Sequence, residues 1–286
     1  MVVGRCVSLT DAQWARIEPL LPDRAPRRGG RWRDHRQVID AIVFKYRTGT
    51  PWTDLPARFG SWKGVHNRLR RWAADRTWEK VFTALLAHAD AEGDVDWDVA
   101  VDSTIVRAHQ HAAGAREKGP RRASRDHALG RSRGGLTTKI HLAADGRCRP
   151  LAFVITPGQA GDAPAFGQVM DQIRVPRPVG RPRTTPSVVL ADKAYSSRAI
   201  RSHLRRRGIR AVIPQPADQA ANRKRLGSRG GRPPAFDSEL HKQRNTVERC
   251  INKLKQWRGL ATRYDKTATI YLAGLHVAAI FIWSAR

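Results

Sequence analysis

The chain reads as a mixed α/β protein, with a small all-α segment in front of a larger unit built on a mixed sheet. Three observations predict it. Apolar residues recur at helical spacing over residues 10–88, and from Asp96 the period shortens to two. An Asp145-Gly146 turn signal then joins two strand-like segments. Beyond that turn, strand-like and helix-like segments alternate toward the end of the chain.

In the leading segment, Thr10 followed by Gln13 spells a capping box, and Leu9 with Trp14 stands at the spacing of a hydrophobic staple. Trp14, Ile17 and Leu21 carry a helix as far as Pro22. A Pro/Gly/Arg loop over residues 24–33 leads to a second helix from about Asp34, with Val38, Ile39, Ile42 and Tyr46 on one face and Gly49 to end it. Residues 50–60, with Pro51 and Pro56, form a compact connection. Ser61 is placed to cap a third helix whose apolar stripe is Val65, Leu69 and Trp72. Its remaining surface presents Lys63, His66, Asn67, Arg68, Arg70 and Arg71. Cations and amides on a helix that follows a tight turn suit a recognition helix in a DNA major groove, so Lys63, His66, Asn67, Arg68 and Arg71 are candidate DNA contacts. A solvated face of a core helix is the alternative. Residues 78–88 close this helix-turn-helix-like domain, which spans 1–92.

The second domain spans 93–286. Val99, Val101 and Ile105 alternate with Asp102 and Thr104 in a strand over 97–106. Residues 107–135 are rich in Arg, Gly, Ala and His without apolar periodicity, and read as a mobile basic loop. Strands over 136–143 and 150–156 form the hairpin, and Asp162 is expected to cap a helix from about Pro164 to Ile173. Residues 187–192 make a short, continuously apolar strand of the buried kind. A basic helix (197–208), a strand (209–214), a second basic loop (217–234), a long helix (237–257) and an apolar helix (267–283) complete the order. Three antiparallel strands, then helix, strand, helix, strand and a long helix, is the order of an RNase H-like fold: a mixed five-stranded sheet flanked by helices. Periodicity alone leaves several α/β folds open.

Lys+Arg number 53 against 25 Asp+Glu, a formal net charge of +28, and the basic residues cluster. Such an excess holds a polyanion and speeds its encounter. Cys6, Cys148 and Cys250 include no C-x-x-C pair, which argues against a zinc knuckle or a disulfide framework and fits a reducing compartment. The first apolar stretch is amphipathic rather than a signal core, and residues 268–283 are short for a bilayer span and contain His276. A cytoplasmic protein without a membrane partner is expected.

Asp102 lies inside a strand and Asp192 ends one, both among apolar neighbours. Carboxylates there are costly unless compensated, and two on neighbouring strands repel unless a cation sits between them. Magnesium suits this arrangement, taking one or two carboxylates and completing its shell with water and phosphate oxygens. Glu248 is the candidate third ligand, sharing a helix face with Arg244 and Lys255 beside the stripe Val247, Ile251 and Leu254. Two ions so held would activate a water or 3′-hydroxyl and stabilise the leaving oxygen in an in-line displacement at phosphorus. Arg244 and Lys255 would grip flanking phosphates. Each acid alone has an ordinary explanation: Asp102 as a strand-end turn residue, Asp192 as a helix cap, Glu248 as an intrahelical partner of Arg244 or Asn252. Their order on these three elements favours the metal site. Asp94, Asp96 and Asp98 read as a solvated acidic turn, Asp265 as a surface ion-pair partner, and His109 and His111 as phosphate contacts.

Asp102-Ser103-Thr104, the run from Gly134 to His141, and Ala191-Asp192-Lys193-Ala194-Tyr195 resemble the DDE transposases of bacterial insertion sequences, nearest to insertion sequence family five in the wider group that includes family four. Arg244, Glu248 and Lys255, followed by Arg263-Tyr264-Asp265-Lys266, match the signature around the third acid, with His241 where that family carries a tyrosine. The runs from Pro51 to Pro56 and from Phe59 to Trp62 resemble the helical domain ahead of the catalytic core. The resemblance implies an RNase H-like core and Asp102, Asp192 and Glu248 as catalytic, metal-binding residues. It further implies magnesium dependence (two Mg2+ ions, with Mn2+ able to substitute), DNA contact through His241, Arg244 and Lys255, recognition of terminal inverted repeats, and action as a homodimer or higher oligomer. The alternatives are a helix-turn-helix regulator with an inactive core, and an RNase H-like nuclease that cuts without joining.

Overall fold

The computed structural model describes residues 8–24, 32–113 and 127–285. Helix α1 (Asp11–Ile17) starts in the expected capping box: the Gln13 N–H donates to the Thr10 hydroxyl at 3.2 Å, and the Thr10 N–H to the Gln13 side chain at 3.1 Å. Helix α2 (His35–Thr48) begins on Asp34, whose carboxylate accepts from the Gln37 N–H at 3.0 Å. It ends at Gly49 with φ 76°, a left-handed conformation that a side chain resists. Most of the loop read over 24–33 lies outside the described residues. Helix α3 (Trp62–Ala74) buries Val65, Leu69 and Trp72 as its stripe requires, but the Ser61 hydroxyl makes no cap bond. Helix α4 (Thr77–Ala91) packs beside it.

The sheet is built around β1 (Asp98–Ala108). On one side β1 pairs antiparallel with β3 (Gly135–Ala144), which pairs antiparallel with β4 (Pro150–Pro157). On the other side it runs parallel to β5 (Val188–Ala191), which runs parallel to β6 (Arg210–Val212). The order β4-β3-β1-β5-β6 is the RNase H-like arrangement, fixed by the same pairings the sequence implied. Two short strands were not foreseen: β2 (Gly130–Ser132), folded onto β3, and β7 (Thr262–Arg263), parallel to the end of β1, bring the sheet to seven strands among the described residues. The stretch read as a basic loop over 107–135 thus holds the one-turn helix α5 (Gln110–Ala113) and β2; its residues 114–126 lie outside the described residues.

Helix α6 (Asp162–Gln172) covers β3 and β4, and α7 (Arg198–Arg206), capped by Ser197, leads into β6. Residues 217–234 are not wholly loop but contain α8 (Ala217–Arg225) and a 3-10 turn; α8 buries no residue, so it has no apolar stripe for periodicity to detect. The long helix expected over 237–257 is broken. Helix α9 (Ser238–Lys242) ends at Gln243, and α10 (Asn245–Lys255) starts after Arg244 and lays Val247, Cys250, Ile251 and Leu254 on β1 and β3.

The short helix α11 (Arg258–Ala261) precedes β7, and α12 (Ala268–Ser284), capped by Thr267, is buried over most of its surface between α1, α3, α4 and β4. The leading helices and the sheet therefore share one continuous hydrophobic core. Among the described residues no helix is long and apolar enough to cross a membrane. Asp265, expected at the surface, is buried, accepts the Tyr46 O–H at 3.2 Å and lies near buried Lys45. Asp94, expected in a solvated turn, pairs with Arg147 and with Arg149 Nη1 at 2.6 Å.

Candidate functional site

Strand register assembles the first two acids. The parallel pairing of β1 with β5 sets Val101 beside Ala191, so the next residues, Asp102 and Asp192, emerge next to each other. Each carboxylate is anchored by a neighbouring backbone N–H: Ser103 donates to Asp102 Oδ1 at 2.7 Å, and Ala194 to Asp192 Oδ1 at 2.8 Å. Asp192 thereby also caps the 3-10 turn Lys193–Tyr195, the ordinary role open to it from sequence. Burial raises the Asp102 carboxyl pKa and the Asp192 charge adds to the rise, while the Ser103 N–H and Arg244 oppose it.

The third acid arrives through Arg244, at the break between α9 and α10. Its Nη1 donates to Asp102 Oδ2 at 3.0 Å and its Nη2 to Glu248 Oε1. One guanidinium therefore stands between acids that lie far apart in sequence. Among the described residues, no three acidic, histidine or cysteine side chains sit close enough to enclose a metal ion as they stand. The donor set nevertheless fits a divalent cation. Two adjacent carboxylates and a third across one cation are hard oxygen donors that require positive charge between them, and Arg244 supplies that charge here.

His241 and Lys255 flank the same site. His241, at the end of α9, meets the Ala191 carbonyl with Nε2 at 3.2 Å, one residue before Asp192, and lies against Phe236. Lys255 is exposed and lines a small apolar recess with Thr104, Ile140 and Leu142, on the Asp102 face of the sheet. The α3 residues are placed elsewhere, since that helix packs on α2, α4 and α12. Lys63, Asn67 and Arg71 are exposed there, as a DNA-reading face requires. His66 and Arg68 are not free: His66 leans on the Trp52 ring at 5.2 Å, and Arg68 stacks over Trp32 at 4.0 Å and bonds His35 Nδ1 at 2.9 Å.

Sequence reasoning passed over the opposite face of β1. Gly161, not Asp162, holds the cap position of α6. The Asp162 carboxylate instead accepts from the Ser103 hydroxyl at 2.6 Å and from Lys139 Nζ at 3.0 Å. Burial would raise its pKa, but those two bonds outweigh it and the net shift is downward. Burial holds neighbouring His141 down to about 4, against the pull of Asp162. The available signal was that Ser103, Lys139, His141 and Tyr195 all fall inside the three runs that carry the resemblance.

Residues 9–82 match the family described as putative transposase of the IS4/5 family, and residues 94–283 match the transposase DDE domain. The chain belongs to the DDE transposases. This transposase is similar to the uncharacterized protein y4sN of Sinorhizobium fredii, 41% identical over 111 residues that cover 39% of this chain and 85% of that one. It is also similar to a putative transposase for insertion sequence element IS6501 of Brucella ovis, 32% identical over 148 residues covering 52% of this chain and 98% of the other. A solved complex of Mos1 transposase with a left transposon end overlays at a TM-score of 0.26, with 14% identity and 82% of each chain covered. The strand order, rather than that overlay, carries the fold assignment. As a DNA transposase of the DDE type, the enzyme depends on a divalent metal and acts on DNA.

Proposed function

We propose that Asp102, Asp192 and Glu248 are the catalytic, metal-binding residues of this transposase, and that they hold two Mg2+ ions, with Mn2+ as a substitute. The supporting observation is the Arg244 guanidinium bonded to Asp102 and Glu248 together, beside a strand register that sets Asp192 next to Asp102. Asp102, Asp192 and Glu248 would hold ions whose charge, when they are bound, would lower the pKa of the attacking hydroxyl and balance charge on the leaving oxygen. The chain's own residues bind and orient. Arg244 releases the acids and turns to a phosphate of the incoming DNA, with Lys255 and His241 gripping the backbone on either side. In the first step water attacks the phosphorus at the element's end and frees a 3′-hydroxyl. In the second, that hydroxyl attacks a phosphorus of target DNA, giving its proton to solvent and forming a new P–O bond. The bond to the target's 3′-oxygen breaks in line, and that oxygen takes up a proton.

Residues 1–92 serve as the recognition domain and 93–286 as the catalytic domain, sharing a core that fixes their orientation. Helix α3 reads the terminal inverted repeats through Lys63, Asn67 and Arg71, with Arg68 and His66 shaping that face from beneath. A homodimer or higher oligomer pairs the two ends, working in the cytoplasm on the bacterial nucleoid.

The test supplies the purified protein with a labelled DNA end, taken from the inverted repeats that bracket its gene, together with a target plasmid and Mg2+. Cleaved ends joined to plasmid are expected. Cleavage without joining would make the enzyme a nuclease, and tight binding without cleavage would make it a DNA-binding regulator.

A further inference from the structure

We propose that Ser103 and Asp162 are positioning residues that fix the acidic pair from the opposite face of the sheet; this rests on Asp102 and Asp192 being the metal-binding carboxylates. Side chains alternate along β1, so Ser103 points away from Asp102 and toward α6. There the Ser103 hydroxyl donates to Asp162 Oδ1 at 2.6 Å, and Lys139 Nζ donates to the same oxygen at 3.0 Å. His141 Nδ1 stands 3.8 Å from that oxygen, while its Nε2 meets Thr156 Oγ1 at 2.9 Å. Tyr195 walls off the cluster. Its ring is buried 5.8 Å from Phe166, and its hydroxyl lies in the field of Asp162, Asp102 and Asp192.

Two backbone bonds transmit this cluster to the acids. Ser103 spends its hydroxyl on Asp162 and its N–H on Asp102 Oδ1, at 2.7 Å. The turn that begins at Asp192 ends at buried Tyr195, with the Ala194 N–H on Asp192 Oδ1 at 2.8 Å. Each acid thus has one oxygen pinned; on Asp102 the second, Oδ2, is the oxygen that Arg244 occupies. His141 is buried and Lys139 and Asp162 are partly so, and polar groups taken out of water cost more than an apolar filling would unless their mutual bonds are complete. Here the His141 Nδ1 lacks a hydrogen-bond partner among the described residues. A network kept polar at that cost, and attached to both aspartates, is accounted for by what it holds in place.

The experiment uses the full-length protein bound to a pre-cleaved DNA end, and follows Mn2+ binding by loss of the free-ion paramagnetic signal, so that no turnover is involved. Ser103→Ala should weaken Mn2+ binding about 10-fold, within the range for groups that orient metal ligands. Ser103→Thr, which keeps the hydroxyl, should restore binding to within about 2-fold of wild type, where loss of packing alone would not be rescued. Should Ser103→Ala fail to fold, Asp162→Asn carries the test, since it keeps the shape and removes the charge facing Lys139. Wild-type Mn2+ binding by Ser103→Ala or its stand-in, beside a clear loss in Asp102→Asn, overturns the positioning role alone. Wild-type binding by Asp102→Asn overturns the assignment of the site itself, and the positioning role with it.

Discussion

Replacing Arg244 with glutamine separates the two uses of its charge. Arg244 Nη1 lies 3.0 Å from Asp102 Oδ2, with side-chain exposures of 21% and 22%, and it also pairs with Glu248, which is 47% exposed. Two unit charges at that separation attract by about 5.5 kcal/mol at an effective dielectric of roughly 20. Partial exposure and the entropy of fixing long side chains reduce the realised value to about 1 kcal/mol. If Asp102 and Glu248 hold a divalent cation as proposed, Arg244 competes with it for the same oxygens, and removing Arg244 should tighten Mn2+ binding to the DNA-free protein by about 5-fold, at 1.4 kcal/mol per decade. The same variant would also lose the proposed phosphate contact, so the log-log slope of DNA-end affinity against salt should fall in magnitude by about 0.9. A Mn2+ titration of the free protein and an anisotropy salt series measure the two effects separately. Weaker Mn2+ binding by Arg244→Gln would refute the competition and make Arg244 an organiser of the acids.

Other residues give sharper expectations than the sequence alone allowed. Lys63→Ala with Arg71→Ala should lower the salt slope by up to about 1.8 while leaving thermal stability within roughly 0.5 kcal/mol, because both side chains are exposed; an unchanged slope would take α3 out of the interface. Arg68→Ala, by contrast, removes a guanidinium stacked on Trp32 and bonded to His35, and should cost roughly 1–2 kcal/mol in a denaturant melt; no loss of stability would argue for a free surface arginine. His276 is buried against Phe82 and Phe153, and burial lowers its pKa from 6.5 to about 4. The unfolded chain then binds the proton that the folded one refuses, so this contribution is intact above pH 6.5 and is lost as pH falls toward 4, by up to about 3 kcal/mol. A stability profile of His276→Phe with an undiminished acid slope would contradict that origin.

Much of this architecture was legible because it rests on local signals. Thr10 and Gln13 spell a cap, Gly49 a left-handed stop, and residues 136–156 a hairpin whose register follows from alternation. Asp102, inside an apolar strand, and Asp192, at the end of one, stand out in the sequence because a carboxylate is expensive there unless something compensates it. What escaped notice depends on partners distant in sequence or on the absence of a pattern. Helix α8 buries nothing, so no period marks it, and the break between α9 and α10 falls on Gln243 and Arg244, with neither glycine nor proline to announce it. Arg68 reads as a DNA contact, Asp265 as surface charge and Asp162 as a helix cap until Trp32, Tyr46 and Ser103 arrive from other elements to receive them. The bridge from Asp102 to Glu248 was not legible because Arg244 reads from the sequence only as a phosphate ligand, whereas it pairs with both carboxylates.

The convergence of Asp102, Asp192 and Glu248 on bound cations is tested most directly by a crystal structure of the protein on its terminal repeat, with Ca2+ supplied to bind without supporting cleavage. The account predicts Arg244 turned onto a DNA phosphate and Ca2+ in contact with all three carboxylates. Ca2+ held by other side chains, or Glu248 facing away with Arg244 still locked on Asp102, would contradict it.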